Sequence, residues 1–472
     1  MTDKPLNHVT ALEDLLRPLG LSTADSGGTL TITGRDPIAP DNVPLAAAIA
    51  LPQAANAIAA AAFLRTRGGA GQDVSIDLRQ AVHHVTPHAF FHPTLAGDLP
   101  CHALVPDNPF LLDPYVTADG RVVMASGVYP HLAAKWCRFL DVPPSKERVA
   151  EAFAQWNAFE LEEAANAAGL PLCVARTPEE WAAHPQGALL AQTPVVTLRR
   201  IGDAAPREHG PAARAFHGIR VLSFTHAIAG PTVGRTLSEH GADVLNATRN
   251  NDYEHDFIYV QANIGSRSTY VDLSTEAGRE RGESLLKDAH IVVNNHRGSK
   301  LEKLGLAPER LAADHPGIIT VAITCYGSEG PWKDRGGFDM NGSAASGLMY
   351  ANERDGLPRL PVTGMINDFT TGYLGALGAA AALRKQATEG GSWAVEVNLT
   401  RSAMWFQELG LVDKALAGTD DEHQMRAPEV FESPTLLGDL RFPAPPAQLS
   451  QTPSRWPDPV LVPRGSSRPE WL

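Results

Sequence analysis

The sequence predicts an α/β protein built on a parallel sheet, and three observations support this fold class. The chain has 472 residues, of which 43% are hydrophobic, and this is ample for a large buried core. Across residues 216–415, compact runs of β-branched residues alternate with amphipathic helical stretches. Strands and helices that alternate at this spacing are typical of parallel sheets covered on both faces. We therefore expect a Rossmann-like sheet domain accompanied by a smaller α+β domain.

Composition and charge argue against several classes of protein. The 41 glycines and 37 prolines stay well below the roughly 25–30% share that marks low-complexity or disordered chains. A formal net charge of −13 argues against a general nucleic-acid binder, which is basic at least locally. An anionic small ligand remains compatible with this charge, because a pocket can be basic in an acidic protein.

Two features of the sequence bear on location. The four cysteines form no CxxC pair, which is typical of free thiols in a reducing compartment, so we expect a cytoplasmic protein. The longest apolar stretch, residues 44–64, is rich in alanine and is interrupted by Pro52, Gln53 and Asn56. This stretch predicts a buried helix rather than a membrane span, and we expect no membrane partner.

In the second half, the first predicted strand covers residues 218–224. A helix follows over residues 231–241, with Pro231 in its first turn and Gly241 as its C-cap. A second strand is predicted at residues 242–248. The turn between the first strand and the helix lacks the GxGxxG pattern, so NAD binding is not predicted.

Further along, strands are predicted at residues 290–296 and 317–327, with a helical stretch at 301–316 between them. A weak internal repeat relates residues 64–81 to residues 372–403. Both stretches have the pattern of a helix, a Gly-rich turn, a strand and the start of another helix. Two copies at this separation indicate a duplicated unit rather than a solenoid.

Between the two copies, the tripeptide Ala118-Asp119-Gly120 predicts a β-hairpin within residues 113–127. Amphipathic helices follow it, and together they predict the smaller α+β domain. The Pro-rich end of the chain, from about residue 420, predicts an extended strand and a wrapping arm.

Candidate anion-binding residues lie where predicted strands meet the following turns. Residues 224–231 join a strand to a helix, which presents free N–H groups and the positive end of a helix dipole, and His226 lies at this turn. The alternative is a simple connecting turn. Taken singly, cations near strand ends are more often solvated charges, but together they favour a polyanion such as a nucleotide, since open α/β sheets bind ligands there. These cations are Arg249, Arg267, Arg297, Lys300 and Lys303.

Two other groups of residues have open roles. Asp368 precedes an Ala-rich helical stretch, where it is compatible with a helix N-cap or with a carboxylate nucleophile. His84, His88 and His92 follow an i, i+4, i+8 spacing that could place metal ligands on one helix face. Pro87 breaks a regular helix there, so we interpret these histidines as structural.

Five segments within residues 216–415 resemble, in order and spacing, the family III (CaiB/BaiF-type) CoA-transferases, which include formyl-CoA transferase and carnitine CoA-transferase. The segments are VLSFTHAIAGPTVGRTLSEHGADVL, TYVDLSTEAGRE, VVNNHRGSKLEKLG, ITCYGSEGPWKDRGGFDMNGSAASGLM and INDFTTGYLGALGAAAAL. Residues 45–205 resemble the later part of the same family, including the turn GGAGQ and the segment YVTADGRV.

The resemblance implies two fused and partly truncated copies, because the family's C-terminal portion comes first in this chain. It implies a family III CoA-transferase fold in which the two copies form an intramolecular pseudo-dimer, with a homodimer also open. The expected division is a truncated first copy with an N-terminal arm and Ala-rich helix (1–104), a small α+β domain (105–205), a Rossmann-like CoA-binding catalytic domain (216–415), and a closing strand with a Pro-rich tail (416–472).

The resemblance also assigns site residues. Asp368 matches the family's nucleophilic aspartate, and the corresponding position in the first copy falls near Ala47, which implies one active site. The HxxAGP turn, an arginine after the second strand and an asparagine of the family's VENF-like segment carry CoA contacts. Together with the strand-end cations, the predicted CoA-binding residues are His226, Ala227, Ile228, Arg249, Arg267, Asn295, His296, Arg297, Lys300, Lys303, Phe338 and Asp339.

The implied function is an acyl-CoA:carboxylate CoA-transferase that works through an aspartyl anhydride and an aspartyl-CoA thioester. Its partners would be an acyl-CoA and a carboxylic acid, with CoA carried as substrate and no metal or redox cofactor. Backbone N–H groups at Ala227 and Ile228 are expected to stabilise the oxyanion. One alternative is an acyl-CoA isomerase or racemase, although Gly337-Phe338-Asp339 lacks the histidine base of that branch. Another is a catalytically inactive acyl-CoA-binding partner subunit.

Overall fold

The computed structural model describes residues 6–97, 99–100, 108–296 and 298–472. The helices are α1 (His8–Leu16), α2 (Leu45–Thr66), α3 (Leu78–Ala81), α4 (Pro87–Phe90), α5 (Pro130–Leu140), α6 (Lys146–Phe153), α7 (Ala158–Ala167), α8 (Pro178–Ala183), α9 (Pro185–Ala191), α10 (Ala229–Ser238), α11 (Asp256–Ala262), α12 (Glu276–Leu286), α13 (Gly298–Leu304), α14 (Pro308–Asp314), α15 (Asp339–Ala345), α16 (Asn367–Glu389) and α17 (Leu399–Glu408). The strands are β1 (Gly27–Thr33), β2 (Gln72–Asp77), β3 (Thr94–Leu95), β4 (Leu99–Pro100), β5 (Pro114–Val116), β6 (Val122–Ala125), β7 (Leu172–Val174), β8 (Thr197–Gly202), β9 (Arg220–Phe224), β10 (Asp243–Thr248), β11 (Arg267–Tyr270), β12 (Ile291–Asn294), β13 (Ile319–Thr324), β14 (Ser392–Asn398), β15 (Val430–Ser433), β16 (Leu440–Pro443) and β17 (Gln448–Leu449).

The central sheet has seven strands in the order β11-β10-β9-β12-β13-β14-β8. Neighbouring strands are parallel except at the edge, where β8 pairs antiparallel with β14. This sheet confirms the α/β prediction. From β9 the chain first adds β10 and β11 on one side of the sheet and then β12 and β13 on the other. The point between β9 and β12 is therefore a topological switch point. Open α/β sheets bind their ligands in the crevice at the carboxyl ends of such strands.

The four strands predicted in the second half match β9, β10, β12 and β13. Helix α10 begins two residues before the predicted start and ends at Ser238, ahead of Gly241. The helical stretch predicted over residues 301–316 consists of two helices, because a turn separates α13 from α14. Gly305 adopts a left-handed conformation with φ 76°, which ends α13, and Pro308 starts the next helix.

Two long helices lie in the core of the molecule. α2 is long and apolar enough to cross a membrane by length and composition, but its most apolar window is completely buried within the protein. Asn56 of α2 donates a side-chain hydrogen bond of 2.8 Å to the carbonyl oxygen of Tyr373 in α16. The two helices thus join the first and second halves of the chain through their buried faces.

α16 also packs closely against α10, and Gly372 is the point of closest approach. A Cβ atom at Gly372 would lie 2.5 Å from the Cβ of Thr232 and 2.7 Å from the carbonyl oxygen of Ala229. Both distances are shorter than van der Waals contact, so only glycine fits here. This packing holds the first turn of α16 beside the turn that leaves β9.

The smaller sheets surround this core. β5, β6 and β7 form an antiparallel sheet, and the predicted hairpin joins β5 to β6 through Gly120, whose φ is 76°. Its own apolar core includes Trp136 and Phe153. A four-stranded sheet has the order β15-β16-β3-β4. In a three-stranded sheet of order β1-β2-β17, the strand β17 from the Pro-rich tail pairs with β2.

Candidate active site

Asp368 is the second residue of α16, but it does not cap that helix. The backbone N–H groups of Ile366 and Asp368 both donate to Oδ2 of Asp339, at 3.1 and 2.8 Å. Asp339 is fully buried and acts as the capping carboxylate. The side chain of Asp368, in contrast, accepts no hydrogen bond from any described residue and faces a cavity. The capping role considered for Asp368 therefore belongs to Asp339.

The two carboxyl groups interact electrostatically. Burial raises the pKa of Asp368 well above its ordinary range, and the neighbouring charge of Asp339 raises it further. Burial also raises the pKa of Asp339, against the opposing effect of the N–H groups it accepts. Two like charges in a poorly solvated place cannot both ionise easily. A carboxyl group perturbed in this way, inside a cleft, is a candidate for catalysis.

The cavity in front of Asp368 has a volume of about 760 Å³. Its walls include the turn after β9, the residues after β10 and β12, the stretch 129–132 that enters α5, and the loop between β13 and α15. A smaller cavity of about 90 Å³ lies at the carboxyl ends of β9 and β10 and beside the residues that follow β11. The two cavities share residues that include His226, Arg249 and Lys300. The two cavities therefore adjoin between the carboxyl ends of the strands and Asp368, and together they are called the cleft below.

Most of the predicted site residues line this cleft together with Asp368. They are His226, Ala227, Arg249, Asn295, His296, Lys300 and Phe338. Ile228 and Asp339 line a separate apolar cavity on another side of Asp368. Lys303 is exposed and does not line the described cavities. Arg297 lies outside the described residues.

The structure contradicts the placement of Arg267 among the ligand-binding cations. Arg267 is the first residue of β11 and pairs in register with Leu245 of β10, so it lies near the amino ends of the strands. Its guanidinium donates to the carboxylate of Asp243 at 2.9 and 3.0 Å and to the carbonyl oxygen of Glu470. Arg267 thus lies toward the edge of the sheet opposite the cleft and is already paired.

The turn after β9 also differs from expectation. Ala227 has a left-handed conformation with φ 59°, and its N–H donates to Oε2 of Glu254 at 2.7 Å. Glu254 further accepts the hydroxyl of Tyr129 at 3.0 Å, and burial raises the pKa of Glu254. The Ala227 N–H is therefore not an open oxyanion donor. Ala229 lines the large cavity, and its N–H, at the start of α10, has no acceptor among the described residues.

Two imidazoles stand at the mouth of the cleft without charge at neutral pH. His226 and His296 stack with their ring centroids 5.5 Å apart. The His226 side chain is exposed to solvent, but partial desolvation by its neighbours and the charge of Lys300 lower its pKa. Burial and the neighbouring His226 lower that of His296 to about 3. The positive charge of the cleft therefore comes from lysine and arginine side chains.

Several cleft residues were not predicted from the sequence. Tyr129, Glu254, Lys333 and Arg335 all come from loops, and no periodic pattern marks such residues. Lys333 and Arg335 do lie in a segment that carries the family resemblance, which was the available signal. Cys325 also lines the large cavity, but burial raises the pKa of its thiol. This thiol is protonated at neutral pH and is a poor competitor to Asp368 as a nucleophile.

The histidine cluster of the first half serves the packing of the chain. Nε2 of His83 lies 2.9 Å from the carbonyl oxygen of Arg426, and His84 is buried. The side chain of His88 lies outside those described. Within the described ranges, no group of three His, Cys, Asp or Glu residues is arranged to hold a metal ion.

Comparison with known proteins gives a consistent picture. The model of the family "CoA-transferase family III" matches residues 20–206 and 216–459. An acetyl-coenzyme A transferase of Hypoxylon pulicicidum is 31% identical over 225 residues, which cover 46% of this chain and 37% of that protein. A cinnamoyl-CoA:phenyllactate CoA-transferase of Clostridium sporogenes is 31% identical over 209 residues, covering 40% of this chain and 50% of the relative. The chain thus spans half or less of the length of these relatives.

Among solved structures, one of the protein Rv3272 from Mycobacterium tuberculosis is 27% identical to this chain. The alignment covers 41% of this chain and 58% of the other, with a TM-score of 0.39.

Proposed function

The chain belongs to CoA-transferase family III, and we propose that it transfers CoA from an acyl-CoA to a carboxylic acid. The observation that carries this proposal is the position of Asp368 at the end of the cleft, where its carboxylate accepts no hydrogen bond from the described residues. A poorly solvated carboxylate that faces a substrate cavity is suited to act as a nucleophile. The relatives named above as CoA-transferases support the same reaction class.

The proposed reaction begins when an Asp368 carboxylate oxygen attacks the thioester carbonyl carbon. The C–S bond breaks, which leaves a mixed anhydride and the CoA thiolate. The thiolate then attacks the aspartyl carbonyl carbon and releases the donor as a free carboxylate, so that Asp368 becomes an aspartyl-CoA thioester. The acceptor carboxylate attacks this thioester and forms a second anhydride. The released thiolate takes the acceptor's acyl group and restores Asp368.

Each addition places negative charge on a carbonyl oxygen, which needs a hydrogen-bond donor. In this proposal the N–H of Ala229 supplies it, together with the positive end of the α10 dipole. The Gly372 contact described above holds α10 and α16 together, so this donor and Asp368 have a fixed relation. Ala227 acts indirectly, because its N–H is bound to Glu254 and thereby fixes the turn.

The cleft also suits the polyanionic nucleotide part of CoA. Arg249 and Lys300 lie at the sheet edge, and Lys333 and Arg335 lie along the larger cavity. Arg249 is paired with Asp252 and Arg335 with Glu163, so bound phosphate groups would share these guanidinium groups with the carboxylates or displace them. Cations at the carboxyl ends of parallel strands are where phosphate groups bind in open α/β sheets. The neutral rings of His226 and His296 offer a flat surface beside these cations.

The isomerase alternative requires a base near the substrate's α-carbon. Asp368 could serve as one base, but Phe338 stands where that branch has a histidine, and Asp339 is fully buried and accepts the N–H groups of Ile366 and Asp368. This arrangement favours transfer over proton abstraction.

We propose a single active site in this chain. Oδ2 of Asp36 accepts the N–H of Ala47 in the first turn of α2 at 2.7 Å, in the same way that Asp339 accepts the N–H of Asp368. Ala47 thus holds on α2 the place that Asp368 holds on α16, and it has no nucleophilic group.

An isotope-exchange assay tests the proposed function. The protein is incubated with a panel of acyl-CoAs and a ¹³C-labelled carboxylic acid, and labelled acyl-CoA is measured by mass spectrometry. The wild type should form labelled acyl-CoA, Asp368→Ala should not, and the exposed-site variant Asp203→Asn should match the wild type. Transfer by Asp368→Ala at the wild-type rate would overturn the assignment.

A further inference from the structure

A small apolar cavity meets the CoA cleft at Asp368. The space in it that is open to water-sized atoms is about 40 Å³. Tyr129, Ala227, Phe338 and Asp368 line both this cavity and the larger one. Asp368 therefore stands at the junction between a long charged cleft and a short apolar pocket.

We propose that this pocket, called here the acyl pocket, binds the carbon chain of the transferred acid. The substrates would be short aliphatic monocarboxylic acids, whose chains carry no second charged group. The acyl pocket is defined by Leu112, Val128, Ile228, Ile258, Met340 and Met365. The inference rests on the proposed function. When the thioester carbonyl lies at Asp368 and the CoA arm fills the large cavity, the acyl chain extends to the other side of Asp368.

The walls of the acyl pocket select against a second charge. The side chains that define it are hydrocarbon or thioether groups, and no described lining residue is a lysine, arginine or histidine. The carboxyl groups at its edge are Asp368 and Asp339, and both carry negative charge when ionised. A dicarboxylic acid would place its far carboxylate in this apolar space beside like charges, without a cation to pair with.

The size of the acyl pocket limits the length of the chain. A space of this kind needs roughly 10–15 Å³ for each water-sized group, so the pocket holds about three such groups. Ile228, Ile258 and Met340 are at most 5% exposed, which fixes much of the wall. Chains of about three to four carbons beyond the carbonyl fill the pocket, and longer chains require the wall to move.

Binding of unreactive CoA thioethers tests this proposal without any dependence on turnover. S-methyl-, S-propyl-, S-butyl- and S-hexyl-CoA, together with S-(3-carboxypropyl)-CoA, are titrated into the wild-type protein by calorimetry. Each added methylene should lower Kd about fourfold up to the butyl compound, which corresponds to about 0.8 kcal/mol per buried CH₂. No further gain should follow with the hexyl chain. The carboxylated analogue should bind at least about tenfold more weakly than S-butyl-CoA.

Two variants make the test specific to the acyl pocket. Ile258→Ala should extend the affinity gain to the hexyl chain, because it lengthens the pocket. Met365→Lys should improve the affinity for the carboxylated analogue about tenfold relative to S-butyl-CoA, because it supplies the missing cation. Ile201→Ala, a partly buried apolar site in another cluster, is the matched control and should leave the series unchanged.

The outcomes separate this inference from the proposed function. A series whose affinity is independent of alkyl length, or which favours the carboxylated analogue in the wild type, overturns the acyl pocket even if transfer occurs. A length-dependent series in a protein that shows no transfer with any donor supports the acyl pocket and overturns the proposed function instead.

Discussion

At Asp368, burial and a neighbouring carboxylate act in the same direction on one side chain. Both raise the pKa of Asp368, so its ionised form is disfavoured relative to water and is correspondingly reactive. Asp339 provides the neighbouring charge and at the same time holds the N–H groups at the start of α16. The same local arrangement therefore positions the proposed nucleophile and raises its pKa.

The pH dependence of transfer follows from this arrangement. In the proposed mechanism transfer requires ionised Asp368, so the rate should fall as the pH drops through a raised pKa rather than through the ordinary carboxyl range. The kcat/KM for transfer, measured from pH 4 to 9, should show this midpoint. Asp339→Asn keeps an oxygen that can cap α16 but removes the charge, so the midpoint should move to lower pH. A midpoint that stays unchanged in Asp339→Asn would contradict the electrostatic role of Asp339.

The stability of the protein should also depend on Asp368. Because its pKa is raised in the folded state, the neutral form stabilises the fold at low pH, and this contribution is lost as the pH rises through the folded-state pKa. Asp368→Asn is neutral at every pH, so its stability should not fall in this way as the pH rises. We expect it to raise the free energy of unfolding at pH 8 by about 0.5–2 kcal/mol, a gain typical of relieving a strained active-site group. Urea denaturation at pH 8 and at pH 4 checks this, and a gain that is larger at pH 4 would be inconsistent with it.

At the scale of elements, the site depends on how α10 and α16 meet. Gly372 lets the two helices approach so closely that an added Cβ would overlap Thr232 and the carbonyl oxygen of Ala229. The N–H of Ala229 and the carboxylate of Asp368 belong to the first turns of these two helices. The distance and orientation between these two groups are therefore set by the helix packing at Gly372, one helical turn from Asp368.

Gly372→Ala should disturb this relation. The added methyl group has to separate the helices, which we expect to cost about 1–3 kcal/mol of stability and to lower kcat more than it raises KM. Thermal denaturation and steady-state kinetics measure the two effects. Gly210→Ala, which would place its Cβ in open space, is the control. Wild-type kcat in Gly372→Ala would show that the helix spacing does not set the catalytic geometry.

Secondary-structure prediction from the sequence succeeded where short apolar runs mark the strands. The buried strands β9, β10, β12 and β13 were predicted because short runs rich in apolar, β-branched residues mark them. Asp368 was singled out as a candidate because its segment carries the family resemblance. Arg267 was expected at the carboxyl end of a strand, but it is the first residue of β11 and so lies at the amino end. The sequence does not show whether such a short strand comes before or after the charged residue. Tyr129 and Glu254 are far apart in the sequence and come together only in the folded chain, so no local sequence pattern predicts their hydrogen bond.

At the scale of the whole molecule, the two halves of the chain share one core. α2 is almost entirely buried, and α16 lies against it. The tail strand β17 then pairs with β2 of the first half. Long-range contacts of this kind are not visible as patterns in either half alone.

This shared core predicts that neither half folds alone. Residues 216–472 without residues 1–215 would expose the face of α16 that α2 covers, and such a surface promotes aggregation. Co-expression of the two fragments should give a soluble complex that transfers CoA, as measured by size-exclusion chromatography and the exchange assay. A soluble fragment 216–472 with native circular dichroism would show that the second half is independent.

Covalent catalysis at Asp368 is the central claim, and trapping of the intermediate tests it most directly. The protein is incubated with short aliphatic acyl-CoAs, treated with hydroxylamine or borohydride, digested and examined by mass spectrometry. We expect a modification on the peptide that contains Asp368, absent without donor and absent in Asp368→Asn. Modification of Cys325 in its place, or no adduct although labelled acyl-CoA is formed, would contradict the claim.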